Sequence, residues 1–212
     1  HVLLADVTEV KKTAYWTEQF NRADDFRDRI EAMETLIALE SDDYSLLEKA
    51  ITDDFWYVRE YALNNYPGKI EGNVEQNIVG MAKNDENTDV RAAALDLLAS
   101  KGKGNYSDLF KSSVEDRSYR VQAAGLMAMS ETDPENAMKT AKRFEGSDNF
   151  NILEAVGTVY AAHGGTEQKA YFENAVENAK ADYYGYYGIY FYSQMLRGME
   201  PKEVKPAVDF IS

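Results

Sequence analysis

The sequence predicts an all-α fold: a superhelix of about five to six stacked helix pairs, preceded by a short extended segment. Two observations predict it. The first is a repeat. Asp53 to Leu63, Asp85 to Leu95 and Asp116 to Leu126 each place an Asp five residues before a Val, a small residue four after that Val and a Leu five after it. Val58, Val90 and Val121 stand 32 and then 31 residues apart, and a fixed period in that range marks a stacked array. The second is apolar spacing inside one period. Leu46, Leu47, Ala50 and Ile51, then Val58, Tyr61 and Ala62, form two helical groups separated by Thr52-Asp53-Asp54, so each period reads as a helix pair.

The elements follow in order. His1 to Val7 is short, apolar and β-branched, the pattern of a strand tail or interdomain tether, so residues 1–12 are set apart from a helical repeat domain over 13–212. Asp28-Arg29-Ile30-Glu31-Ala32-Met33 begins the register, with a step of 30 from Asp28 to Val58. Val74, Ile78, Val79 and Ala82 precede Val90, Ala93, Ala94, Leu97 and Leu98 as the next pair. Ala137, Met138 and Ala141 precede Ile152, Leu153 and Val156, with Asp148 five before Leu153 and Gly157 in the small slot, a step of 32 from Val121. Tyr171, Phe172, Ala175 and Val176 precede a terminal unit rewritten in tyrosine. Pro67-Gly68, Lys101-Gly102-Lys103-Gly104, Asp133-Pro134 and Gly164-Gly165 separate the pairs.

The repeated residues have mechanical roles. Asp53, Asp85 and Asp116 are expected to accept hydrogen bonds from unpaired N–H groups where each second helix starts, with a charge that suits its positive end. Ala62, Ala94, Gly125 and Gly157 keep the helix thin at a crossing, and Val58, Val90 and Val121 fill the core. Arg59 and Arg91 are placed to bridge to an Asp of the adjacent copy, forming a ladder, whereas Lys101 is expected to be exposed and dispensable. A residue repeated in every copy serves the repeat.

Composition limits the functions. The 212 residues are 44% hydrophobic, enough for a continuous core, and contain no apolar run of membrane-spanning length. A net charge of −14 opposes nucleic-acid binding, which needs clustered Lys and Arg. The acidic surface favours solubility and attracts cations without specificity. Cysteine is absent, so there is no disulfide or thiol chemistry and the compartment stays open. A start at His1 reads as a piece of a longer chain.

The motif search returns little chemistry. His1 and His163 are the two histidines; they stand far apart in sequence and so cannot form the i, i+4 pair of an H-E-x-x-H zinc helix, cysteine is absent for a Cys/His site, and no His-based triad is assembled. His163 sits before Gly164-Gly165 at an expected helix end, where its charge would complement the dipole. Gly102-Lys103-Gly104 lacks the strand and spacing of a phosphate loop. Asp42-Asp43 and Asp53-Asp54 read as solvated turn carboxylates. Tyr183 to Tyr192 holds six tyrosines; packing of a terminal repeat is the favoured reading over a partner-binding patch. No catalytic, metal or cofactor residue is assigned in this chain.

Two resemblances carry the reading further. The repeat units resemble HEAT repeats, whose Asp and Val-Arg signature is matched at Asp85 and Val90-Arg91 and departs at Gln122 and Glu154. The run Trp16, Gln19-Phe20, Ala23, Phe26, Asp28-Arg29-Ile30-Glu31-Ala32, followed by Asp54-Phe55-Trp56 and Val58-Arg59, resembles the start of the C-terminal helical domain in bacterial zinc aminopeptidases of the M1 family. Val2 to Val7 resembles the tail of the β-domain that leads into it.

The second resemblance implies a zinc-dependent parent whose H-E-x-x-H site lies in a preceding catalytic domain. This chain would pack, without catalytic residues, on the catalytic and β-domains and help wall a chamber for short peptides, in a soluble bacterial protein of the periplasm or cytoplasm. Trp16, Phe20 and Phe26, in a first unit with no repeat before it, are then candidates for the docking patch. The alternatives are a free-standing or differently fused HEAT scaffold that binds a protein partner, and a HEAT enzyme of the phycobilin-lyase type.

Overall fold

A computed structural model describes residues 13–40, 42–102, 104–179 and 182–211. Every regular element among them is helical, and the fold is all-α. The expected extended segment at 1–12 lies outside the described residues. The chain divides into two compact units, His1–Lys103 and Gly104–Ser212.

The first unit contains α1 (13–22), α2 (Phe26–Ala38), α3 (Ser45–Ala50), α4 (Trp56–Asn65), α5 (Gly72–Asn84) and α6 (Thr88–Lys101). α3 pairs with α4 and α5 with α6, while α2, α4 and α6 pack successively on one another. Their contact is made by the predicted stripe: Val58, Ala62 and Leu63 of α4 and Val90, Ala94 and Leu95 of α6 are buried to within 1%. Full burial of each Val or Leu side chain contributes about 2 kcal/mol. Lys101 is exposed yet not idle, because its Nζ donates to the Tyr66 carbonyl at 2.7 Å and closes the end of α4.

The second unit contains α7 (Ser107–Ser113), α8 (Tyr119–Thr132), α9 (Pro134–Phe144), α10 (Phe150–His163), a single 3-10 turn (Thr166–Gln168), α11 (Lys169–Glu177), α12 (Asp182–Leu196) and α13 (Pro201–Ile211). α7 pairs with α8, α9 with α10 and α11 with α12, and α8, α10 and α12 pack in succession. The breakers act as read. Asp133 ends α8, its side chain accepts the N–H of Asn136, and Pro134 occupies the first turn of α9, where its missing N–H costs nothing. At Gly125 a Cβ would lie 2.8 Å from the Ser113 Cβ and 3.1 Å from the Phe110 carbonyl, so glycine sets how closely α7 approaches α8.

Helix starts correct the register. Asp53, Asp85 and Asp116 accept the N–H groups of Phe55, Asn87 and Ser118, each two residues on. Those residues are the N-caps themselves. The aspartates therefore turn the chain into the cap instead of satisfying the first helical N–H groups; Asn87 performs the true capping of α6. In α10 the same place belongs to Ser147, which accepts the N–H of the N-cap Asn149. Asp148 is one residue out of the slot and exposed. The core position is Ile152, 1% exposed, with the half-exposed Leu153 in the arginine slot, so the step from Val121 is 31 and not 32.

Candidate functional site

In the first unit the arginine slot builds an ion-pair ladder. Arg29 Nη2 lies 3.3 Å from Asp53 Oδ1, so Asp53 is a held, largely desolvated carboxylate and not a solvated one. Arg59 grips Asp85 with Nε on Oδ2 and Nη2 on Oδ1, both at 2.8 Å. Its Nη1 also donates to the carbonyls of Asp53 and Asp54, tying its own interhelix loop to the next copy. Arg91 Nη1 holds the equivalent carbonyls of Asp85 and Glu86. In the second unit Gln122 keeps the loop brace, with Nε2 on the Asp116 carbonyl at 2.7 Å, but carries no charge. These residues, with Val58, Val90 and Val121 beneath them, serve packing and loop geometry.

The ladder fails farther along. The slot of Arg29, Arg59 and Arg91 is filled by Leu153, and the slot of Asp53 and Asp85, counted five before Tyr184, is filled by Ala179. Leu153 and Ala179 face a common cavity of about 180 Å³ bounded by α10, α11 and α12. The carboxylates of Glu145, Asp148 and Glu154 also line it, and no Lys, Arg or His is among its described lining residues.

Aromatic rings form the walls. Phe150, one residue past the N-cap of α10, meets Tyr187 of α12 edge to face at 4.7 Å, and Tyr187 in turn meets Phe191 at 5.9 Å. Phe191 reaches this wall because position 157 is glycine: a Cβ there would stand 2.5 Å from its ring. On the other side Tyr171 packs edge-on against the fully buried Tyr160 at 5.3 Å. Burial, and then the nearby Glu145 charge, push the Tyr171 phenol up, so it stays neutral. Tyr160 donates to Glu145 Oε1 at 2.7 Å, while Lys142 meets Glu145 Oε2 at 2.8 Å. One carboxylate at the rim is thereby fixed in place.

The Tyr160–Glu145 contact belongs to a series that the sequence reading missed. Tyr66 donates to Glu48 Oε1 at 3.1 Å and Tyr192 to Glu173 Oε1 at 2.8 Å. Each tyrosine lies eight residues after the position of its helix held by the buried Val58 and Ile152 and by the half-buried Tyr184. A search for tyrosine at that offset, with a glutamate in the preceding helix or at its C-cap, would have found the braces.

The remaining candidates are dispersed. Phe20 is 4% exposed and is removed from the candidate docking patch. Trp16 and Phe26 are half-buried; Phe26 meets Phe55 in a tilted contact at 4.7 Å and Trp16 meets Tyr15 at 5.2 Å. The tyrosine segment serves two ends, for Tyr192 is fully buried while Tyr186 and Tyr190 are 72% and 56% exposed. His163 ends α10 with Nε2 2.9 Å from the Ser130 hydroxyl. No cluster of three His, Cys, Asp or Glu residues able to hold a metal occurs among the described residues. No described helix is long and apolar enough to cross a membrane.

Comparison with known proteins leaves the reading to these observations. No protein-family model matches the chain. No curated protein matches it.

Proposed function

We propose that this chain is a non-catalytic, HEAT-like helical-repeat domain that docks against other domains of its parent protein. The observation that carries this reading is the Arg59–Asp85 rung, made in the same register as Arg29–Asp53. It ties one helix pair to the next through residues the repeat itself specifies, which is how a stacked array transmits order between neighbours. The likeness of Trp16 to Arg59 to the M1 aminopeptidase helical domain supports a zinc peptidase as the parent, with the metal held outside this chain. The chain then packs on the catalytic and β-domains and borders the chamber that admits peptide substrates.

The test is to assay the complete gene product beside the isolated chain on an aminoacyl-nitroanilide. The expected result is hydrolysis by the complete product that a chelator abolishes, and none by the chain alone. A complete product without an H-E-x-x-H helix, or one inactive when loaded with zinc, overturns the parentage. Replacement of the half-buried Trp16 with Glu should leave the isolated chain folded while loosening the complete protein.

The second reading, a scaffold that binds a separate protein partner, is favoured by one feature. The Leu153–Ala179 cavity faces solvent with aromatic walls and an acidic border, a surface suited to recognition.

A further inference from the structure

The loop that opens the second unit holds the one place in the sequence where Asn is followed two residues later by Ser or Thr with no proline between, Asn105-Tyr106-Ser107. That spacing is the acceptor pattern for attachment of a sugar to an asparagine amide. Asn105 is exposed, and its Oδ1 accepts the Ser107 N–H at 3.2 Å. The turn holds the carbonyl end of the carboxamide against the backbone, so Nδ2, on the other arm of the same carbon, is directed away from that contact. Neither Nδ2 nor the Ser107 hydroxyl makes a hydrogen bond to a described residue. The half-buried Tyr106 ring lies 6.0 Å from Phe110, which anchors the turn to α7 and leaves Asn105 in solvent. Two other asparagines make the same turn. Asn87 and Asn149 accept the N–H groups of Asp89 and Asn151 at 2.8 and 3.0 Å, but those residues carry no hydroxyl. Both asparagines are also half-buried as the caps of α6 and α10, so they share the turn and lack the acceptor pattern.

We propose that Asn105 is a glycosylation site whose Nδ2 takes a sugar from a glycosyl diphosphate donor through a separate transferase. In the transfer Nδ2 forms a bond to the anomeric carbon, and the bond from that carbon to the diphosphate oxygen breaks. The diphosphate leaves with the electron pair, and one amide proton is released. Ser107 is a recognition residue: the transferase reads its hydroxyl, while its N–H fixes the acceptor amide. The loop admits the addition because the sugar projects from an exposed residue beside the exposed Gly104 and displaces no core contact. Exposure also lets transfer occur on the folded chain as well as during synthesis. A nucleotide diphosphate sugar and a polyprenyl diphosphate oligosaccharide present the same leaving group, and either serves as the donor. The proposal does not depend on which protein carries this domain.

The experiment isolates the full protein from the cells that make it and maps its peptides by mass spectrometry. The expected result is a population of the Asn105 peptide carrying added hexose or N-acetylhexosamine, with the Asn87 and Asn149 peptides bare. A single hexose identifies the nucleotide-linked donor, and a longer glycan the polyprenyl-linked one. Made in the same cells, Asn105→Gln should lose the added mass. Ser107→Ala should lower occupancy by about tenfold or more, whereas Ser107→Thr should keep it. An Asn105 peptide that is unmodified throughout overturns the proposal, as does equal occupancy at Asn87 or Asn149. So does unchanged occupancy in Ser107→Ala; if that variant fails to accumulate, loss of the sugar from a folded Ser107→Thr chain has the same force.

Discussion

Arg59 and Asp85 meet as fork and carboxylate, with two 2.8 Å hydrogen bonds between side chains that are 14% and 7% exposed. The pair joins α4 to the loop before α6, and Nη1 of the same guanidinium fixes two carbonyls of the loop before α4. Its geometry explains why arginine recurs in the slot. Only a planar, multiply donating cation can face a loop and the next copy together.

Arg59→Ala is therefore expected to destabilise the protein by about 3 kcal/mol, since it strands a desolvated carboxylate. Arg59→Lys should recover only part of this loss because it cannot reproduce the fork. Arg143 and Glu115 form an exposed pair, so Arg143→Ala should cost within about 0.5 kcal/mol. Urea melts of the three variants provide the comparison; equal midpoints would show that the rung adds nothing.

Tyr160→Phe removes the hydroxyl that satisfies Glu145 Oε1 while keeping the ring in the core. A loss of about 1 to 2 kcal/mol is expected, the cost of losing a part-buried hydrogen bond to a carboxylate. Tyr186, 72% exposed, is the control, and Tyr186→Phe should leave thermal unfolding unchanged.

Tyr66 makes stability sensitive to alkali. Burial, followed by its hydrogen bond to Glu48, raises its pKa from 10.0 to about 12. The fold thus holds a proton that the unfolded chain releases earlier. The stabilisation is complete below pH 10 and is lost as pH rises toward 12. Melting temperatures across that window should fall less steeply for Tyr66→Phe than for the parent chain, each normalised to its own value at neutral pH.

Gly157 and Gly80 should respond oppositely to alanine. The new Cβ at 157 would press on the Phe191 ring at 2.5 Å, so Gly157→Ala should destabilise by about 1 to 3 kcal/mol and distort the cavity wall. Nothing stands within 4 Å of a Cβ at Gly80, inside α5. Gly80→Ala should stabilise by about 0.5 to 1 kcal/mol through helix propensity. Calorimetry on both variants tests the contrast.

The sequence by itself determined the helical class, the pairing of helices and the core slots at Val58, Val90 and Val121. These depend on local periodicity, which one strand of text records completely. It also carried the arginine slot, because a repeated residue declares its position. Tertiary structure decided the rest. The true register of the fifth copy became visible only when the Ser147–Asn149 turn placed Ile152, and not Leu153, in the core. Phe20 entered the core, because burial depends on which helices converge around a ring. The Leu153–Ala179 cavity was likewise illegible as a motif. It is defined by two short side chains 26 positions apart where longer, charged ones stand in other copies, and a missing contact has no sequence signature until the helices that should have made it are set side by side.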